Sequence, residues 1–144
     1  MGEIVIGYDG SGCSKRALES AADLAEATGD SLRVVFAYAP GGYGGGEVPA
    51  QRAAVRELGE KMVAEASATL DQRDPVPPYE TEMLPLKASE ALIHAAGEHD
   101  ARMIVIGTHG EGPLRSALLG STPYKLVHQA DIPVLVVPRG EAAA

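Results

Sequence analysis

Between residues 107 and 122 the chain reads GTHGEGPLRSALLGST, with Gly107, Gly110 and Gly120 in a fixed rhythm and Ser121 and Thr122 closing it. These residue types suit one kind of chemistry, the holding of a phosphate. Glycine lets backbone N–H groups approach an anion without a Cβ in the way, and a helix N-terminus adds free donors and a partial positive charge. A hydroxyl at such a terminus can serve a phosphate oxygen or a metal bound to it. The competing reading is a long loop with spacer glycines. Context decides against it, because the apolar run Met103 to Ile106 precedes the segment and a helical stretch follows.

The chemistry stops short of rapid phosphoryl transfer. No G-x4-G-K-[ST] occurs, and Lys125 lies three residues into the following helix, pointing away from its start. G-x-G-x-x-G is absent too, and only Arg115 supplies a cation inside the segment. One of Ser121 and Thr122 is expected to cap the helix. His109 reads as a solvated loop residue, with contact to a phosphate as the alternative, and His94, His99 and His128 as surface residues without a second ligand at metal-binding spacing. Cys13 reads as a buried, inert thiol. No Ser-His-Asp arrangement can be argued, so the sequence designates no catalytic and no metal-binding residue.

Five apolar runs must position this segment: Ile4 to Tyr8, Leu32 to Tyr38, Tyr79 to Leu84, Met103 to Ile106 and Ile132 to Val137. They alternate with amphipathic stretches, the pattern of βα units and a parallel sheet. Ala17, Leu18, Ala21, Leu24, Ala25 and Thr28 recur at helical spacing, with small side chains for close approach and Gly29 as a C-terminal stop. A second helix takes in Val55, Leu58, Met62, Ala66 and Leu70, and the run Asp74 to Pro78 stops it. The third spans about Ser89 to His99, and the fourth Thr122 to Ala130, with Pro123 well placed near its start. The stretch Ala39 to Pro49, with five glycines and Tyr43, reads as a connecting loop, with a lid over a ligand as the alternative.

With right-handed crossovers and the first strand central, the order is 3-2-1-4-5 and the switch point falls between strands one and four. The loop ends there carry Asp9 and Gly107, so Asp9 is expected to face the glycine segment across one crevice. Alone, Asp9 would read as a turn former.

Length and composition bound the rest. The chain has 144 residues, one Phe, no Trp and a single cysteine. That suits one α/β domain over 1–138, burying about two thirds of its unfolded surface, with a flexible tail at 139–144 and no internal disulfide. No signal peptide or membrane-spanning run is apparent, and the expectation is a cytoplasmic protein. The formal charge of −8 argues against nucleic-acid partners, and any bound nucleotide must be held by oriented amides, a helix dipole or a metal ion.

These residues resemble the universal stress protein family. Its motif G-x2-G-x9-G-[ST] is matched by Gly107, Gly110, Gly120 and Ser121 without a gap. Asp9-Gly10-Ser11-x2-Ser14-x2-Ala17-Leu18 is similar to the family's first strand-helix junction, and Pro133 to Pro138 to its last strand. The resemblance implies a Rossmann-like open sheet with helices on both faces, and the ATP-binding subclass, since members lacking the glycine motif generally do not bind ATP. It implies that Gly7 and Asp9 flank the nucleoside, that Ala37 lies by adenine, and that Ile106 and Gly107 border the ribose. Gly110, Gly120, Ser121 and Thr122 would hold the phosphates of ATP, ADP or AMP, with any magnesium ion held by those phosphates. It also implies a homodimer through the fifth strands, which the apolar edge Ile132 to Val137 supports independently. Two departures stand out, Leu86 where the family often has glycine and Arg102 where it has aspartate.

Three functions compete. The leading one is a nucleotide-sensing module of a stress response, without catalytic residues. The second is a slow ATPase or self-phosphorylating enzyme using Ser121 or Thr122. The third is a structural dimer that binds no nucleotide.

Overall fold

A computed structural model describes residues 2–38, 49–109 and 119–138. Gly110, Arg115, the glycine-rich stretch 39–48 and the tail 139–144 lie outside the described residues. The elements run β1 (Glu3–Gly7), α1 (Gly12–Thr28), β2 (Ser31–Ala37), α2 (Pro49–Asp71), β3 (Tyr79–Leu84), α3 (Ala88–Glu98), β4 (Met103–Gly107), α4 (Ser121–Gln129) and β5 (Val134–Val137). All strand pairs are parallel, and the sheet order is β3-β2-β1-β4-β5, as the sequence implied.

Both faces of the sheet are covered, which is why its central strands read as unbroken apolar runs. Ile4, Ile6, Leu32 and Val34 face α1 and α2, while the alternate residues Val5, Val35 and Ile104 face α3 and α4. On α1, Ala17, Ala21, Ala22 and Ala25 are buried, and these small side chains bring the helix axis close to the sheet. Gly29 ends α1 in the left-handed region at φ 76°, its N–H donating to Ala25 O at 2.8 Å.

The pattern of α2 is only partly the expected one. Ala66 and Leu70 are fully buried, yet Leu58 is 50% exposed. Here the helix meets the sheet through Gly59 instead, where a Cβ would stand 2.3 Å from Met83 Cε and 3.1 Å from Phe36 Cδ2. Pro49, expected in the preceding loop, is the first residue of α2. β5 begins two residues later than the apolar run, though Pro133 O already accepts from Ile104 N at 3.0 Å.

At the end of the sheet away from the strand C-termini, Asp30 is buried and accepts from Gly2 N at 2.7 Å and Thr28 Oγ1 at 2.7 Å. Arg102 closes the cluster at 3.2 Å. The departure at Arg102 thus has a local role, tying the start of β4 to the end of α1. Leu86, the other departure, packs against the α3 side of the core.

Candidate functional site

The strand C-termini open into one crevice at the β1–β4 switch point, the position where open parallel sheets bind ligands. Its floor is Gly7, where a Cβ would stand 3.1 Å from Leu92 Cδ1. Val35, Ala37, Leu92 and Ile106 form apolar walls, and Asp9, Ser11, Ser14, His109 and Thr122 supply polar groups. The enclosed volume is about 90 Å³, below the roughly 300–1,000 Å³ of a complete small-molecule site. It has room for part of a ligand.

The β1–α1 turn fixes the first wall. Gly10 sits at φ +83°, and any side chain there would collide with Met62 Sδ at 2.5 Å. Ser11 N donates to Asp9 Oδ1 at 2.9 Å, and Ser11 Oγ caps α1 by accepting from Ser14 N at 3.2 Å. Asp9 is therefore a turn former and an exposed wall of the crevice at once. Tyr8, also on the lining, donates its hydroxyl to Glu65 of α2, which lies 3.8 Å from Lys15 Nζ. Burial, and then the hydrogen bond to Glu65, raise the Tyr8 hydroxyl above its ordinary range, so at neutral pH it stays a donor.

Two glycines with packing duties support the opposite wall, Gly107 on the lining and Gly120 behind it. A Cβ on Gly107 would stand 2.5 Å from Cys13 Cβ and 2.9 Å from Cys13 O, so the first turn of α1 rests directly on the end of β4. A Cβ on Gly120 would meet Thr108 O at 2.9 Å, and Gly120 N donates to that same oxygen at 2.8 Å. This bond returns the chain from the loop to the crevice. Cys13 is buried as expected, its Sγ 3.7 Å from Thr108 Oγ1.

Neither Ser121 nor Thr122 caps α4. The N-cap is Gly120, extended at φ −66° and ψ 167°, with no side-chain cap hydrogen bond. Ser121 and Thr122 fall inside the first turn, and Pro123, third in the helix, has no N–H for a cap to hold. The N-terminus of α4 thus borders the crevice, through Thr122 and Pro123, with no side-chain cap at Gly120. Thr122 lines the crevice, whereas Ser121 is exposed and outside the lining.

Of the residues singled out in the sequence, Gly7, Asp9, Ala37, Ile106, Gly107 and Thr122 share the crevice, and Gly120 is buried behind its rim. Sequence reasoning did not name Tyr8, Ser11, Ser14, Val35, Ala88, Leu92 or Pro123 as site residues, and all of them line the crevice. It also set His109 aside as solvated, yet His109 is on the wall, its Nδ1 3.1 Å from Thr108 Oγ1. No Lys or Arg belongs to the described lining. Among the described residues no group of three or more His, Cys, Asp or Glu could hold a metal ion, and no helix is long and apolar enough to cross a membrane.

Residues 1–138 match the family model described as the universal stress protein family. A universal stress protein of Thermus aquaticus, found in a QAH/OAS sulfhydrylase 3′ region, is 40% identical over 136 residues, covering 93% of this chain and 96% of that protein. The chain spans about half the length, 47%, of a Mycobacterium tuberculosis universal stress protein that it matches at 33% identity. Among solved structures, a universal stress protein family member from Burkholderia pseudomallei is 25% identical with a TM-score of 0.74, over 95% of this chain and 96% of that one. A universal stress protein in complex with cAMP is also 25% identical, with a TM-score of 0.69 over 96% and 98% of the two chains.

Proposed function

The chain belongs to the universal stress protein family, and on that premise we propose that its crevice holds an adenine nucleotide and that the protein is a nucleotide-sensing module. The observation that carries the reading is the pairing of an apolar slot with the side-chain-uncapped N-terminus of α4. A base fits between Val35, Ala37, Leu92 and Ile106, with the ribose over Gly7 and Gly107. Asp9 belongs on the nucleoside side, because a carboxylate accepts from hydroxyl and amino groups and repels phosphate. The phosphates belong at the amides of Ser121 and Thr122, with Gly110 and Gly120 on that side by the motif's spacing. The relative in complex with cAMP supports the same class of ligand.

ATP is the proposed physiological ligand, with magnesium, where present, held by the phosphates. Without a lysine on the described lining, the amides of α4 carry the anion, which favours retention over turnover. Analysis of nucleotide released from the purified, heat-denatured protein tests this. An adenine nucleotide near one equivalent is the expected result.

A second reading, self-phosphorylation, is favoured by one observation: Thr122 faces the crevice and Ser121 does not. Mass spectrometry after incubation with ATP and magnesium would then find phosphate on Thr122. A homodimer is part of the proposal as well. β5 is a sheet edge, its Leu135 is 37% exposed, and Tyr124 and Val127 of α4 are exposed. Pairing of fifth strands would cover that edge.

A further inference from the structure

The other edge of the sheet differs from β5 in chemistry. β3 pairs only with β2 among the described residues. Leu32 N donates to Pro78 O at 2.9 Å and Tyr38 N to Leu84 O at 2.9 Å, so the even-numbered carbonyls of β3 face β2. Backbone groups of successive strand residues point to alternate sides. The N–H and C=O groups of Tyr79, Thr81 and Met83 therefore face outward. Beside them runs an open groove of about 390 Å³, lined by Glu60, Val63 and Ala64 of α2 and by Thr81, Glu82 and Met83 of β3.

We propose that this edge is a docking surface for an extended, basic segment of another protein, added as a strand along β3. Backbone groups of Thr81 and Met83 would supply the ladder, and the Val63 and Ala64 surface would take alternate side chains of the added segment. Charge selects the occupant. Both charged residues of the groove are acidic, and Glu80, exposed on the same strand, adds a third carboxylate. Arg56 meets Glu60 at 3.3 Å, while Arg33 and His99 approach Glu82 at 3.8 and 4.0 Å on the α3 face, where its Oε1 is buried, so the carboxylates accessible to an added segment are those of Glu60 and Glu80. A second copy of this chain is disfavoured, since two YETEML strands would bring like charges together across the pair. The segments of this chain outside the description, 39–48, 110–118 and 139–144, carry no net positive charge either.

The surface lies apart from the nucleotide crevice, and its test is independent of ligand binding. Amide exchange of the full chain is followed by NMR, with a synthetic peptide of alternating lysine and valine and with its glutamate–valine counterpart. The lysine peptide slows exchange at Thr81 and Met83 by roughly tenfold or more, the glutamate peptide leaves it unchanged, and Glu60→Lys with Glu80→Lys abolishes the protection. Unchanged exchange with the lysine peptide, or equal protection by both peptides, overturns the proposal. Protection of the same amides by raising protein concentration alone overturns it too, because the occupant is then a second copy.

Discussion

Gly107 lies against Cys13 so closely that a Cβ on the glycine would stand 2.5 Å from Cys13 Cβ and 2.8 Å from its carbonyl carbon. The contact joins the end of β4 to the first turn of α1, the two sides of the switch point. Trimming the cysteine side chain does not make room, because backbone atoms occupy the same space. Gly107→Ala is expected to lower stability by about 1–3 kcal/mol through overpacking. The Cys13→Ala background leaves most of that loss in place. Chemical denaturation of the two single variants and the double variant measures both effects.

Gly120 has ordinary backbone angles, so its need for glycine comes from contact. A Cβ meets Thr108 O at 2.9 Å. Gly120→Val is expected to displace the N-terminus of α4 and to abolish nucleotide binding in a chain that still folds. Circular dichroism establishes the fold, and calorimetry the loss. A folded variant that binds as tightly as the parent separates the cradle from Gly120.

Asp30 is held ionised chiefly by the hydrogen bond from Thr28, with Gly2 N and Arg102 adding to it against the cost of burial, and its pKa is lowered. A lowered native pKa gives stability present above the unfolded value of about 3.9 and lost as pH falls through the native value. Asp30→Ala is expected to cost about 1–2 kcal/mol at neutral pH, chiefly through the lost hydrogen bonds from Thr28 and Gly2 N. Its stability should also fall less steeply than the parent's below pH of about 4. Thermal unfolding across pH 2–6 compares the two slopes.

Much of the architecture was legible because parallel βα units leave few choices. With right-handed crossovers, β1 central and β4 beside it, the order is 3-2-1-4-5, and that order puts Asp9 and Gly107 on one crevice. Gly29 was readable as a stop because its role is local. What escaped depends on contacts between distant segments. Leu58 keeps the helical period yet is exposed, since Gly59 and Met83 set how α2 leans on the sheet. Ser121 and Thr122 look like caps until Gly120 is pinned to Thr108 O, which advances them into the first turn. His109, for which the sequence offered a phosphate contact only as the alternative, lies on the wall two residues past the end of β4.

Tyr8 links the crevice to α2 through Glu65. Tyr8→Phe keeps the ring and removes the donor to a partly buried carboxylate, a loss of about 1–2 kcal/mol. Urea denaturation measures it, and a Tyr8→Phe, Glu65→Gln cycle separates the pair's coupling from packing.

The central claim is that the β1–β4 crevice holds an adenine nucleotide. Titration calorimetry of the nucleotide-free chain with ATP, ADP, AMP and cAMP tests it directly. The expected result is saturable binding of at least one of the four at one site per chain, weakened when Leu92→Trp fills the slot. Absence of heat and of saturation with all four would contradict it, and would leave the fold with a crevice that serves no nucleotide.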